Sequence, residues 1–356
     1  MTLDERALAF LKQLLDAPGP SGFEQAPARL WREAAAAFAT VEVDVAGNSI
    51  ATINPSGSPR VMLAGHVDEI GVMIVHVDDE GFLHFAPIGG WDSQVLVGQR
   101  VVVEGRSGPV AGVIGKKAIH MMKPDERDKV SKITDLWIDI GAANRDEAAR
   151  RVRVGDAGVI AAALLELPNG RLVSRSIDNR IGAFVVFEAL RRLAATPPRA
   201  SVAAVATTQE EISSTGGGAR SSAFRLEPDA AIVVDVTHAT DFPGAEKKEQ
   251  GDFKLGGGPV LSRGSAVSRV VFDQLVAAAE AEHIPYAIEA APRGTSTDAD
   301  AIYTARRGIA TGLVSVPCRY MHSPNEMVAY EDLDRAAALL AAWVRRLEPA
   351  TSFVPA

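Results

Sequence analysis

One cysteine, Cys318, is the whole thiol inventory of this 356-residue chain, so no intrachain disulfide forms and a purely thiolate metal site is excluded. Long apolar runs are also missing. The longest, residues 336–344, falls far short of the roughly 20 residues that span a bilayer, and it lies inside an Ala/Leu helical pattern flanked by Arg. No basic block stands out either: Lys plus Arg total 37 against 45 for Asp plus Glu, a formal charge of −8, which argues against nucleic acid as a partner. The opening Met1-Thr2-Leu3-Asp4-Glu5-Arg6 is acidic where a secretory leader is basic, and no apolar segment follows it. A cytoplasmic protein that engages neither membrane nor nucleic acid is expected. What the chain does have is ordinary globular composition, 47% apolar and 23% charged, and length enough for about two domains.

Apolar residues recur at helical spacing over residues 3–15 and 27–38, on either side of the breaker Pro18-Gly19-Pro20-Ser21-Gly22. Residues 41–45 and 49–53 bracket a Gly47-Asn48 turn and read as a hairpin, and residues 60–65 form an apolar strand ending at His66. From about 70 to 165 the pattern changes to short β-rich runs, at 72–77, 99–104, 110–114, 136–140 and 158–162, separated by Gly-containing turns. Beyond it helix and strand alternate: helical at 179–193, 268–282 and 333–347, extended at 201–207, 230–236, 286–290 and 308–316. Such alternation implies α/β layers around a largely buried sheet, interrupted by an inserted small all-β domain. Internal repeats and low-complexity tracts are absent.

Histidine and carboxylate residues gather at the predicted strand ends. His66-Val67-Asp68 places two polar side chains on one face of an extended segment, where Asp68 is suited to orient the His66 ring. Ser176-Ile177-Asp178-Asn179-Arg180 opens a helix, Thr207-Thr208-Gln209-Glu210-Glu211 follows an apolar strand, Asp235 ends another, and Arg319-Tyr320-Met321-His322-Ser323-Pro324 follows a third. Adjacent glutamates after a buried strand are costly unless positive charge compensates them. Ligands of open α/β sheets collect at the carboxyl ends of the strands. His66, Asp178, Glu210, Glu211, Asp235 and His322 supply the donors of a two-metal hydrolytic centre with one carboxylate to spare as a base. Zinc suits these donors, and cobalt or manganese suits the same set.

The ordered set His-x-Asp, Asp-Asn-Arg, Gln-Glu-Glu, Asp and Arg-Tyr-x-His-Ser-Pro resembles the tetrahedral aminopeptidase family of co-catalytic metallopeptidases, which includes glutamyl and deblocking aminopeptidases. The likeness runs over nearly the whole chain and takes in the stretch from Gly65 to Gly71 and Thr297-Asp298-Ala299. It implies a three-layer α/β/α catalytic domain over 1–69 and 164–356, with a barrel-like β domain at 70–163 that mediates dimer formation. By the same resemblance His66 and Asp235 bind one divalent ion, Glu211 and His322 the other, and Asp178 bridges both. Glu210 is then the general base, Asp68 the orienter of His66, a peptide with a free amino terminus the substrate, and a twelve-subunit tetrahedron built from dimers the assembly. One departure stands out: Ile212-Ser213-Ser214-Thr215-Gly216-Gly217-Gly218 replaces a loop in which the family commonly has Gly two positions after the glutamates and a Gly-Ala pair soon after.

Three other functions compete with this one. A metal-dependent deacylase could use the same centre. A cellulase-like glycosidase needs carboxylates that flank a bond from opposite sides, which neighbours such as Glu210 and Glu211 do not. A metal-stabilised assembly protein has no need of Glu210. His76, His84, His120, His238 and His283 read as surface or hydrogen-bonded residues, the glycine clusters as turns, and residues 116–132 as a solvated loop. Asp298 either lines the site or caps a helix.

Overall fold

The computed structural model of the chain describes residues 3–213 and 216–355. Met1 and Thr2 of the acidic opening, and Ser214 and Thr215 of the divergent loop, lie outside the described residues. The largest element is a mixed eight-stranded sheet. Its order is Thr40–Val43, Ser49–Ile53, Ser201–Thr207, Arg60–His66, Ala230–His238, Ala310–Cys318, Val260–Gly264 and Ala287–Ala291. The third to sixth of these run parallel, so their carboxyl ends open on the same edge.

Alternation along these strands sorts residues into two cores. Val61, Leu63, Val202, Ala204, Ile232 and Val234 enter one, and Met62, Ala64, Ala203, Val205, Ala231 and Val233 enter the other. A strand buried on both faces reads as a continuous apolar run, which is why these segments were legible as strands. Helices Glu5–Asp16, Gln25–Ala35, Ile177–Ala194, Arg269–Ala281 and Tyr330–Arg345 complete the first core. Gly217–Leu226 and Asp298–Ile302 complete the second. The result is the expected three-layer α/β/α arrangement.

Six further strands, Gly71–Val77, Leu83–Ile88, Arg100–Gly105, Gly108–Lys116, Leu136–Asp139 and Ala157–Ile160, close into a barrel. Val72, Ile74, Val101, Val103 and Ile138 fill it. The barrel therefore has its own core, separate from the two on the main sheet. Leu83–Ile88 and Val260–Gly264 were not singled out from the sequence, and neither was the small sheet of Leu165–Leu167, Arg171–Ser174 and Glu326–Ala329. Residues 116–132 carry two short helical turns, Ile119–Met121 and Pro124–Arg127. Among the described residues no helix is long and apolar enough to cross a membrane.

Two local devices position the sheet edge. A Cβ on Gly65 would sit 2.4 Å from the backbone carbon of Gly182, so only glycine lets the end of Arg60–His66 lie flush on helix Ile177–Ala194. Glu69, just beyond this strand, is buried and takes Arg175 at 2.5 Å and Arg180 at 2.8 Å. Arg180 is fully buried and also donates to the carbonyl oxygens of Val67 and Leu14. Burial lowers its pKa to about 10 despite the attraction of Glu69. Removing one partner from a buried ion pair strands the other charge. Glu69→Ala is therefore expected to cost about 3–5 kcal/mol, measured by urea unfolding, and a loss under 1 kcal/mol (about one surface pair) would contradict this brace.

Candidate metal centre

Each of the four parallel strands delivers part of one cluster. His66 is the last residue of its strand, Glu210 and Glu211 follow Ser201–Thr207, Asp235 lies within Ala230–His238, and His322 follows Ala310–Cys318. Asp178 comes from the first turn of helix Ile177–Ala194, where the backbone is non-helical and the Asp178–Asn179 peptide is cis. All six side chains line a single cavity. The structure thus brings together every residue singled out as a ligand or base.

Asp178 sits between the two imidazoles. Its Oδ1 lies 3.3 Å from His66 Nε2 and its Oδ2 3.3 Å from His322 Nε2. The opposite ring nitrogens are also engaged. His66 Nδ1 faces the Asp68 carbonyl oxygen at 3.3 Å and its Oδ1 at 3.4 Å. His322 Nδ1 lies 2.9 Å from the carbonyl oxygen of Gly90. With Nδ1 donating to these acceptors, a neutral ring turns its Nε2 lone pair toward the cluster, whereas without cations the ring is held protonated and donates from Nε2 to Asp178. Glu211 Oε2 lies 3.4 Å from His322 Nε2, and Glu210 Oε2 lies 3.8 Å from His66 Nε2. Donor atoms of His66, Glu210 and Asp235 fall within 4.8 Å of one another, as do those of His66, Asp178 and Glu211.

This much negative charge is unstable by itself. Burial pushes Glu210 up to about 9, with Asp235, Asp298 and Asp178 adding to the shift against His66. Burial, reinforced by Asp178, also raises Glu211 and Asp235 well above the usual carboxylate range. Asp178 moves the other way: burial opposes its ionisation, but hydrogen bonds from His322 and His66 outweigh it. The carboxylates must therefore take up protons or gather cations. The second outcome fits the donors. Among the described residues buried Glu211 Oε1 has no hydrogen-bond partner, and carboxylate oxygens with unprotonated imidazole nitrogens are the donor types that divalent zinc, cobalt and manganese accept.

Behind the ligands stand several positioning residues, of which Ser21, Glu24 and Glu326 carried no usable signal in the sequence. Asp68, fully buried behind His66, accepts from the backbone N–H groups of Glu210 and Glu211 at 3.2 Å each and from the Ser21 hydroxyl. It thus fixes the glutamate pair as well as the imidazole. Glu24 accepts from Gln209 N at 3.2 Å, holding a residue whose φ is 61° just ahead of Glu210. Glu326 accepts from Asp178 N at 3.0 Å and His322 N at 2.9 Å, which ties two separate segments together. Ser21 looked like part of a turn, and Glu24 and Glu326 look like surface glutamates until the chain is folded. Asp298 both lines the cavity and accepts from Thr207 Oγ1 at 2.5 Å, at the first turn of its helix.

An α/β sheet whose carboxyl edge collects two imidazoles and four carboxylates in one cavity carries the donor set of a metal-dependent hydrolase. The chain belongs to the M42 glutamyl aminopeptidase family, whose model matches residues 47–339. A lysyl aminopeptidase of Pyrococcus furiosus is 32% identical over 95% of this chain and 97% of its own. Among solved structures, the TET aminopeptidase of the marine sediment archaeon Thaumarchaeota archaeon SCGC AB-539-E09 superposes with a TM-score of 0.92 at 34% identity, covering 97% of each chain. The Pyrococcus horikoshii TET1 peptidase, which can assemble into a tetrahedron or a large octahedral shell, has a TM-score of 0.85 at 31% identity, over 96% of this chain and 100% of its own.

Proposed function

We propose that the protein is a two-metal aminopeptidase that removes the N-terminal residue of peptides, with Glu210 as its general base. The observation that carries this reading is the placement of Asp178, whose two oxygens each face a different imidazole. A carboxylate so placed is suited to bridge two ions. His66 and Asp235 would hold one ion, and Glu211 and His322 the other, leaving Glu210 as the carboxylate not needed for coordination. Such ions, zinc by preference or else cobalt or manganese, supply Lewis acidity toward the scissile carbonyl and acidify water.

The protein's own groups do the rest. Asp68 holds the Glu210 and Glu211 amides and the His66 ring at once, so ligand and base keep a fixed separation. Glu210 takes a proton from the attacking water and returns it to the leaving amine. The imidazoles keep their Nε2 lone pairs available because Asp68 and Gly90 hold the Nδ1 protons. We further propose that the barrel, within residues 70–163 between the two catalytic segments 1–69 and 164–356, pairs subunits, and that dimers build a closed homo-oligomer, a tetrahedral dodecamer being the leading candidate. The likeness to a TET1 peptidase that forms shells supports this. A cytoplasmic setting is in keeping with the lone, buried Cys318.

The test is a panel of aminoacyl chromogenic substrates and N-acetylated peptides, assayed before and after chelation and again with zinc, cobalt or manganese added back. Hydrolysis is expected only at free amino termini, lost on chelation and restored by metal. Equal cleavage of blocked peptides, or activity that survives complete chelation, would overturn the reading.

A further inference from the structure

Beyond the metal cluster the cavity continues along the edge strands of the sheet, where it is lined by Glu289 on Ala287–Ala291. This carboxylate is held in place. Its Oε1 accepts from Thr237 Oγ1 at 2.8 Å and its Oε2 from Ser262 Oγ at 3.1 Å. Both partners are neutral hydroxyls, so they fix the group without cancelling its charge. Among the described residues no Lys or Arg lies within 4.0 Å of it. Asp300, another acid of the same cavity, is different: it caps the turn by accepting from Thr295 N and Ser296 N at 2.9 Å.

Position relative to the cluster gives Glu289 its significance. Thr237 lies two residues beyond Asp235 on one strand, so the two side chains share a face and sit about 6.6 Å apart along it. Glu289 reaches the far one of the two, Thr237, so it faces the part of the cavity that a long, unbranched side chain would enter from the metal centre. Arg220, the one Lys or Arg among the described lining residues, rises from helix Gly217–Leu226, which packs on helix Asp298–Ile302 and not on the strand that carries Glu289. The hydrogen-bond partners of Glu289 are hydroxyls rather than apolar groups, and buried Ser315, the cross-strand partner of Asp235, lines the same cavity. A fixed, half-buried carboxylate with no Lys or Arg beside it among the described residues, hydrogen-bonded to a threonine two residues past Asp235, is suited to an ammonium or guanidinium group.

Resting on the aminopeptidase reading above, we propose that Glu289 selects peptides whose N-terminal residue is cationic, lysine or arginine. The family bears a glutamyl name and one relative a lysyl one, so the choice has to come from this chain's own cavity. A charge-assisted hydrogen bond gained only by the cationic side chain corresponds to a preference of about 10- to 100-fold over an uncharged chain of equal length.

The experiment compares kcat/KM of the metal-loaded enzyme for lysyl, norleucyl and glutamyl p-nitroanilides, alongside calorimetric binding of L-lysine and L-norleucine. Wild type is expected to favour lysyl over norleucyl by about 10- to 100-fold, with L-lysine bound more tightly by a similar factor. Glu289→Gln should remove most of both advantages, chiefly through KM, and Glu289→Lys should turn the preference toward glutamyl. A wild type that cleaves norleucyl as well as lysyl substrate, or a Glu289→Gln enzyme that keeps the full ratio, overturns the assignment to Glu289 while leaving the aminopeptidase reading intact. Failure to cleave any of the three with metal present overturns both.

Discussion

Glu210→Gln is expected to lower kcat by about 10²–10⁴-fold, the range for losing a positioned general base, while the protein keeps its full metal content. The substitution is isosteric, so packing around Glu210 changes little, and only the capacity to take a proton is lost. Burial makes that capacity unusual. In the bare cluster the group is pushed up to about 9, with Asp235, Asp298 and Asp178 contributing repulsion. Positive ions beside those neighbours offset their repulsion and lower the group from there, which favours its work as a base. Steady-state kinetics with elemental analysis of the same sample checks this. Wild-type kcat in fully loaded Glu210→Gln protein would remove Glu210 from the chemistry.

Asp178→Ala is expected to be worse, because it removes charge from both halves of the centre at once. His66 and His322 each face one of its oxygens at 3.3 Å. Without it the two imidazoles have no shared acceptor, and Glu326, which accepts from the Asp178 amide, holds a backbone with nothing to present. Losing an outer hydrogen-bond partner of a ligand typically costs about 10–100-fold in metal affinity. Losing a bridging ligand should exceed that, and activity at ordinary metal concentrations should vanish with the metal. Asp178→Asn keeps the shape with half the function and is expected to fall between. Competition against a chromophoric chelator gives the affinities, and an Asp178→Ala protein that binds both ions as tightly as wild type would contradict the bridge.

Much of this was visible before folding because burial on both faces leaves an imprint on sequence. The runs that became Ser201–Thr207, Ala230–His238 and Arg60–His66 are continuous and apolar, and each one's polar terminus marks where the sheet edge opens. His66, Glu210, Glu211 and Asp235 were legible for that reason, since a charged group at the end of a buried strand is expensive and conspicuous. Strand Val260–Gly264 was less so. It is short, it holds Ser262 and Arg263, and it pairs with its antiparallel neighbour over only two residue pairs, Val260 with Ser315 and Leu261 with Val314.

The residues that hold the site in register were illegible for a different reason. Glu326 earns its place by accepting from two amides 144 residues apart in the chain, those of Asp178 and His322. Nothing local to Glu326 records that geometry. Glu24 and Ser21 likewise act on the Glu210 segment and Asp68 through contacts made only on folding. Asp68 was read as a partner of His66, and it is, but its grip on the two glutamate amides emerges only from the structure. Spacing along a sequence points to donors far better than to what orients them.

The most direct measurement is anomalous X-ray scattering from crystals of the zinc-loaded protein, recorded on both sides of the metal absorption edge. Two peaks in each subunit are expected, one bounded by His66 and Asp235, the other by Glu211 and His322, with an oxygen of Asp178 directed at each. A lone peak, or a pair lying away from Asp178, would contradict the bridged centre on which the chemistry depends.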